Sequence, residues 1–257
     1  MERHEYDTMA LVERNHWWYV GMRRIAATLI ARIPTPRLII DAGCGTGGNL
    51  RWLAQYGTAI GFDMSTDALA YAHAAGDQVI QGSIDAIPVA SASADLVTSF
   101  DVIYHRAVRD DAAAVRECAR IIRPGGYFLL RVPAIDWLRG HHDARVHAAR
   151  RYTHTQVTQL CVQAGLEIKV LSYANTVLFP VALLQRMREH GSGQLDAKSD
   201  LTTPSPLVDV IGRVALTVES WLLSIGVRMP YGVSLVCLAQ RPLAHTQDGV
   251  HDATTAA

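Results

Sequence analysis

An acid and four glycines, Asp41, Gly43, Gly45, Gly47 and Gly48, stand within eight consecutive residues. Leu38-Ile39-Ile40 leads into them, and Leu50, Leu53 and Ala54 then recur on one helical face. The pattern predicts a buried strand, a tight loop and a helix. Glycines let such a loop turn sharply and bring its backbone close to a ligand. The helix that follows aims its N-terminus at the same ligand. Asp63 lies about twenty residues further on, where a carboxylate can accept both hydroxyl protons of a ribose. A second group of residues suits proton transfer. His105, His142 and His147 titrate near neutral pH when unperturbed, and Arg150, Arg151 and Tyr152 follow them. His142, Asp143 and His147 are ligand types that zinc accepts, but their spacing is not that of a standard site. No metal is expected.

These residues need a scaffold. Apolar runs at 37–42, 58–62, 78–81, 95–100, 127–132, 166–172 and 233–240 alternate with helical patterns. Alternation of this kind predicts an α/β fold: a Rossmann-like, seven-stranded, mostly parallel sheet with helices on both faces. Residues 1–36 read as a helical preamble or lid, with Trp17, Trp18, Met22, Ile25 and Leu29 on its apolar face. Residues 37–173 and 232–242 form the core. Residues 174–231 are an insertion with helices expected over 177–190 and 207–226, joined by a mobile link. It suits a lid or a homodimer contact. The tail, 243–257, reads as disordered. Pro124-Gly125-Gly126 reads as a turn into the fifth strand.

Bulk properties narrow the function. With 24 basic and 24 acidic residues, the formal net charge is zero. That gives no general pull toward nucleic acid or an anionic membrane. No uncharged apolar run is long enough to span a membrane. Four well-separated cysteines and an N-terminus without an apolar signal core fit a reduced, cytoplasmic protein.

The glycine loop satisfies two patterns. Gly43, Gly45 and Gly48 fit the dinucleotide fingerprint, and Asp41, Gly43, Gly45 and Gly47 fit the loop that takes S-adenosyl-L-methionine. Charge separates them. Asp41 would oppose a diphosphate but suits a ligand carrying an ammonium and a sulfonium. Further segments then follow in order: Gly82-Ser83-Ile84-Asp85-Ala86-Ile87-Pro88, Ala94-Asp95-Leu96-Val97 and Arg120-Ile121-Ile122-Arg123-Pro124-Gly125-Gly126. With these, the chain resembles the class I S-adenosylmethionine-dependent methyltransferases of the small-molecule, type-11-like bacterial kind. Glu13-x-x-His16-Trp17-Trp18 and Pro230-Tyr231-Gly232 extend the likeness into the flanks.

The resemblance implies roles by position. Gly43, Cys44, Gly45 and Gly47 pass the backbone along the methionine part of the cofactor, beside Asp41. Asp63 holds the ribose and Met64 the adenine face. Ser83 and Ile84 flank the adenine edge, and Phe100 lies near the sulfonium. The family often has an acid where this chain has Ser83, a weaker acceptor; either cofactor affinity is modest or Asp85 is the substitute. A base is needed only for an acceptor protonated at neutral pH, and His105, His142 and His147 are the candidates. Trp18, Tyr104, Arg150, Arg151 and Tyr152 are the expected substrate contacts, with loop fixing the other reading of Arg150, Arg151 and Tyr152. The expected reaction is O- or N-methylation of a small molecule, giving S-adenosyl-L-homocysteine. Two alternatives remain: a cyclase or binding module that keeps the cofactor structurally, and an NAD-dependent oxidoreductase.

Overall fold

Which side each strand residue takes sets the two halves of the core. In a computed structural model, residues 3–138, 147–177, 179–180, 183 and 205–243 are described. They begin with α1 (Arg3–Val12) and α2 (Trp17–Ile30), before β1 (Leu38–Ala42), α3 (Gly48–Leu53), β2 (Thr58–Asp63), α4 (Thr66–Ala74) and β3 (Val79–Gln81). Then come β4 (Ala94–Phe100), α5 (Asp111–Ile121), β5 (Ile122–Pro133), α6 (His154–Gln163), β6 (Glu167–Ala174), α7 (Pro206–Ser224) and β7 (Ser234–Gln240). The seven strands run in the order β3-β2-β1-β4-β5-β7-β6. Only β7 is antiparallel to its neighbours. This is the expected mostly parallel, Rossmann-like sheet.

Both faces are buried, so the strands are apolar throughout rather than alternating. Ile40, Val97, Phe128 and Leu130 face α5 and α6. Ile39, Leu96, Leu129 and Leu238 face the opposite layer of α2, α3 and α7. Helix starts follow the local chemistry. Ser65 accepts from Ala68 N–H, and Asp110 from Ala113 N–H. Thr153 and Gln156 form a capping box. Pro206 occupies the first turn of α7 behind Ser205.

Two expectations are refined. The N-terminal preamble is two helices, because Nδ1 of His16 accepts from Trp18 N–H and starts α2 afresh. Pro124-Gly125-Gly126 does not precede the fifth strand but bulges within it: pairing with β4 shifts between Ala94 and Leu96, and Gly125 takes φ +81°. Gly125 N–H then donates to Arg241 O. Most of the helix expected over 177–190, nearly all of the link after it, and the tail from residue 244 lie outside the described residues.

Strand order reverses between β1 and β4, whose register pairs Asp41 with Thr98. Ligands of open α/β sheets bind at the carboxyl ends of the strands where the order reverses. Asp41, Asp63 and Phe100 all stand at that edge.

Candidate cofactor and acceptor site

The loop after β1 requires glycine at three positions. Gly43, Gly45 and Gly47 have φ of +80°, +55° and +85°, a region that L side chains rarely adopt. Gly43 and Cys44 both donate to Phe62 O, at 2.8 and 3.0 Å, which pins the loop to β2. The Cys44 thiol is buried, and burial pushes its ionisation up. It contributes backbone and volume, not a nucleophile.

Three carboxylates surround this loop. Asp63 accepts from Gly45 N–H at 3.0 Å and from Ser65 N–H at 2.9 Å, one on each oxygen. Each oxygen keeps further acceptor capacity. Asp41 is 1% exposed; its Oδ1 accepts from the Thr98 hydroxyl at 2.6 Å. Its Oδ2 is buried with no hydrogen-bond partner. Burial raises its pKa from 3.8 to about 6, against the lowering effects of the Thr98 bond and Arg131. The third acid, Glu13, comes from the turn after α1. It accepts from Thr46 Oγ1 at 2.7 Å and from Arg51 at 3.0 Å, at the N-terminus of α3. A Cβ on Gly48 would collide with the Glu13 carboxylate.

Glu13 therefore ties the N-terminal helices to the loop. Tyr71 donates to Asp7 on α1, and Met9 lies over Gly45. Burial also raises the pKa of Glu13. Replacing Glu13 by Ala leaves Thr46 and Arg51 without their partner. We expect a loss of about 1–3 kcal/mol in stability, read as a lower urea midpoint at unchanged slope.

A buried cation completes the edge. Arg131 is 5% exposed and pairs with Asp101 through Nε at 2.7 Å. Its guanidinium lies 4.8 Å from the Trp18 ring centre and 5.0 Å from that of Phe100. Trp18 and Phe100, expected near the substrate and the sulfonium, are thus joined through Arg131. Asp101 holds φ +59° immediately after β4. Glu13 and Arg131 were not among the expected site residues. A charge inside the apolar run Phe128–Val132 was the available signal, since a buried arginine must have a partner.

On the side expected to take the acceptor, His105 Nδ1 accepts from Ala107 N–H at 3.1 Å. The neutral ring then carries its proton on Nε2 and presents a donor. Burial, with His147 and Arg106 nearby, lowers its pKa to about 4. The His105 and His147 ring centres lie 5.7 Å apart. His142 lies outside the described residues. Arg150 donates to the carbonyls of Ile103, Val108 and Arg109, and Arg151 to that of Ala134. Tyr152 is 3% exposed and donates to Ile103 O and Asp111. Tyr104 O accepts from Ala149 N–H. These are the contacts of the loop-fixing reading. An open cleft of about 630 Å³ beside Arg150, Arg151 and Gln156 includes none of the glycine loop.

The residues expected at the adenine edge stand where the segment after β3 turns back. Ser83 Oγ accepts from Asp85 N–H at 3.2 Å, and Ile84 is buried. Met64 is 56% exposed. Asp85 Oδ1, like Asp41 Oδ2, is a buried oxygen without a partner. The donor set fits a ligand that brings cations, an amino group and a diol, and no phosphate.

Comparison with known proteins bears on this set. Residues 40–130 match a family model described as methyltransferase domain. The chain is similar to a probable S-adenosylmethionine-dependent methyltransferase of Mycolicibacterium smegmatis, 29% identical over 62% of each chain. It is 40% identical to a malonyl-(acyl-carrier protein) O-methyltransferase of Enterobacter lignolyticus, over 45% of this chain and 47% of that one. The chain thus spans less than two thirds of the length of either relative. A solved SAM-dependent methyltransferase, possible histamine N-methyltransferase, from Thermotoga maritima superposes with a TM-score of 0.59 at 19% identity. The match covers 93% of this chain and 95% of that one, and shows a shared fold.

Proposed function

Because residues 40–130 are a class I S-adenosylmethionine-dependent methyltransferase domain of the type-11 kind, we propose that the protein methylates an oxygen or nitrogen of a small-molecule acceptor, in secondary metabolism. The observation that carries this reading is Asp41: a buried carboxylate with one oxygen lacking a partner, at the mouth of a glycine loop. Bound there, S-adenosyl-L-methionine supplies a methyl group already activated on a sulfonium. The chain's own residues have the remaining tasks of holding, orienting and keeping water out.

Gly43, Cys44, Gly45 and Gly47 would hold the methionine part through their backbone, and Asp41 would face a cation. Asp63 would take the ribose diol. Ile84 and Met64 would flank the adenine, with Ser83 or Asp85 accepting from its amino group. Trp18 and Phe100, braced by Arg131, would wall the transfer site. His105 serves as a hydrogen-bond donor to the acceptor rather than as its base, because its Nδ1 is occupied and its pKa is low. His105→Asn should then change kcat/KM by less than about tenfold and leave the pH–rate profile unmoved. Loss of an inflexion near pH 6–7 in the variant would restore the base.

Calorimetric titration with S-adenosyl-L-homocysteine tests the cofactor site; no binding at high micromolar concentration overturns it. Release of S-adenosyl-L-homocysteine from S-adenosyl-L-methionine across a panel of phenols, amines and carboxylates, malonyl thioesters included, tests the transfer. Tight binding with no acceptor-dependent release would favour a binding module.

A further inference from the structure

Helix α7 is apolar on both sides. Its inner face buries Leu216 and Leu223, with Gly212 under the Trp17 ring and Leu216 against Gly21 of α2. Its outer face repeats Leu207, Val210, Val214, Val218, Trp221 and Ile225 at three- and four-residue spacing, a single stripe along five turns. These side chains are between 45% and 70% exposed. A surface helix ordinarily turns polar residues outward. A continuous exposed apolar stripe marks a surface that meets another body.

The charges beside the stripe identify that body. Arg24 donates to Thr217 Oγ1, and Arg32 to Leu223 O, so both guanidiniums lie against one flank of α7. Arg228 follows the helix and is exposed. The two acids of α7 do not offset them. Asp209 is paired with Arg213 at 2.6 Å. Glu219 turns inward, accepting from Asn175 N–H at 2.7 Å and Val177 N–H at 2.8 Å. An apolar stripe bordered by arginines, with a tryptophan near one end, is the pattern of a helix lying in a membrane interface. Among the described residues of this border, a symmetric second copy would bring the same arginines and no unengaged acid of α7 to pair with them. No described helix is long and apolar enough to cross a membrane.

We propose that the outward face of α7 seats the protein on an anionic lipid surface. The chain as a whole is neutral, so the attraction is local to this border. The inference stands whether or not the acceptor is a lipid, and it does not depend on methyl transfer.

Flotation of the full chain with phosphatidylcholine vesicles, with and without a minor fraction of phosphatidylglycerol, tests it. The wild type should float with the anionic vesicles, and Val214→Asp/Val218→Asp should bind them at least about tenfold more weakly. Both positions are exposed, so circular dichroism and S-adenosyl-L-homocysteine affinity should be unchanged. Arg24→Gln/Arg228→Gln should weaken binding severalfold to anionic vesicles only. Flotation that survives the double aspartate variant would overturn the assignment to α7. So would failure to float together with self-association in sedimentation that the variant abolishes; a second copy would then be the occupant.

Discussion

Asp63→Ala should weaken S-adenosyl-L-homocysteine binding by about tenfold to a hundredfold, the range for losing hydrogen bonds to a charged group. The carboxylate has two tasks. It accepts from Gly45 and Ser65 N–H groups, and so fixes the glycine loop and the start of α4. Each oxygen keeps acceptor capacity beyond that bond, which the proposed ribose diol would use. Asp63→Asn separates the tasks. The amide has one acceptor oxygen, so one of the two backbone bonds is lost and the charge goes with it. Affinity should fall by a similar factor while thermal stability falls less than for alanine. Calorimetry at fixed pH and salt gives the first number, and a melting curve the second. Unchanged affinity in both variants would remove Asp63 from the cofactor site.

Asp41→Asn should remove most of a pH dependence as well as weaken binding. The folded-state pKa of Asp41 is raised, from 3.8 to about 6, because burial penalises the carboxylate. Its contribution to stability is therefore complete below about pH 4 and declines as pH rises to about 6. Above that, ionised Asp41 costs the ligand-free protein about 3 kcal/mol. A cation delivered to Oδ2 offsets this cost. Cofactor affinity should then strengthen as pH rises from 5 to 7, while the ligand-free protein loses stability over the same interval. The asparagine variant should bind about tenfold or more weakly and lose most of the slope in affinity. Asp63 and Glu13 have pKa values raised by burial too and would supply the residual slope. A wild-type affinity that is flat across this range would show that the ligand does not depend on ionised Asp41.

Much of this was legible in the sequence because it depends on local rules. The loop needs glycine at positive φ, the helices need caps, and buried parallel strands need uninterrupted apolar runs. Asp41 and Asp63 end strands, so their shared edge followed from topology. The tertiary partners were less visible. Glu13 reaches the loop from the turn after α1, and nothing in residues 10–16 announces Thr46 or Arg51 as its partners. Arg131 stands in an apolar strand, which signals a buried partner but not which one. His105 reads as a base on residue type alone; the Ala107 N–H on its Nδ1 is a feature of the turn, two residues away. The outward stripe of α7 reads only as part of a lid or dimer contact, because periodicity finds an apolar face without saying what covers it.

The position of β7 bears on how the molecule assembles. β6 touches the sheet only through β7, which lies between it and β5 and comes after α7 in the chain. During synthesis β6 emerges well before the strand that joins it to β5. Until β7 arrives, β5 is an open edge and β6 has no place in the sheet, so closure is a late, long-range event. Antiparallel pairing of β6 with β7 makes a two-stranded unit that docks onto β5. Refolding should therefore be slow in its last phase. Substitutions that weaken the β5–β7 contact, such as Leu238→Ala, should mainly accelerate unfolding rather than slow folding.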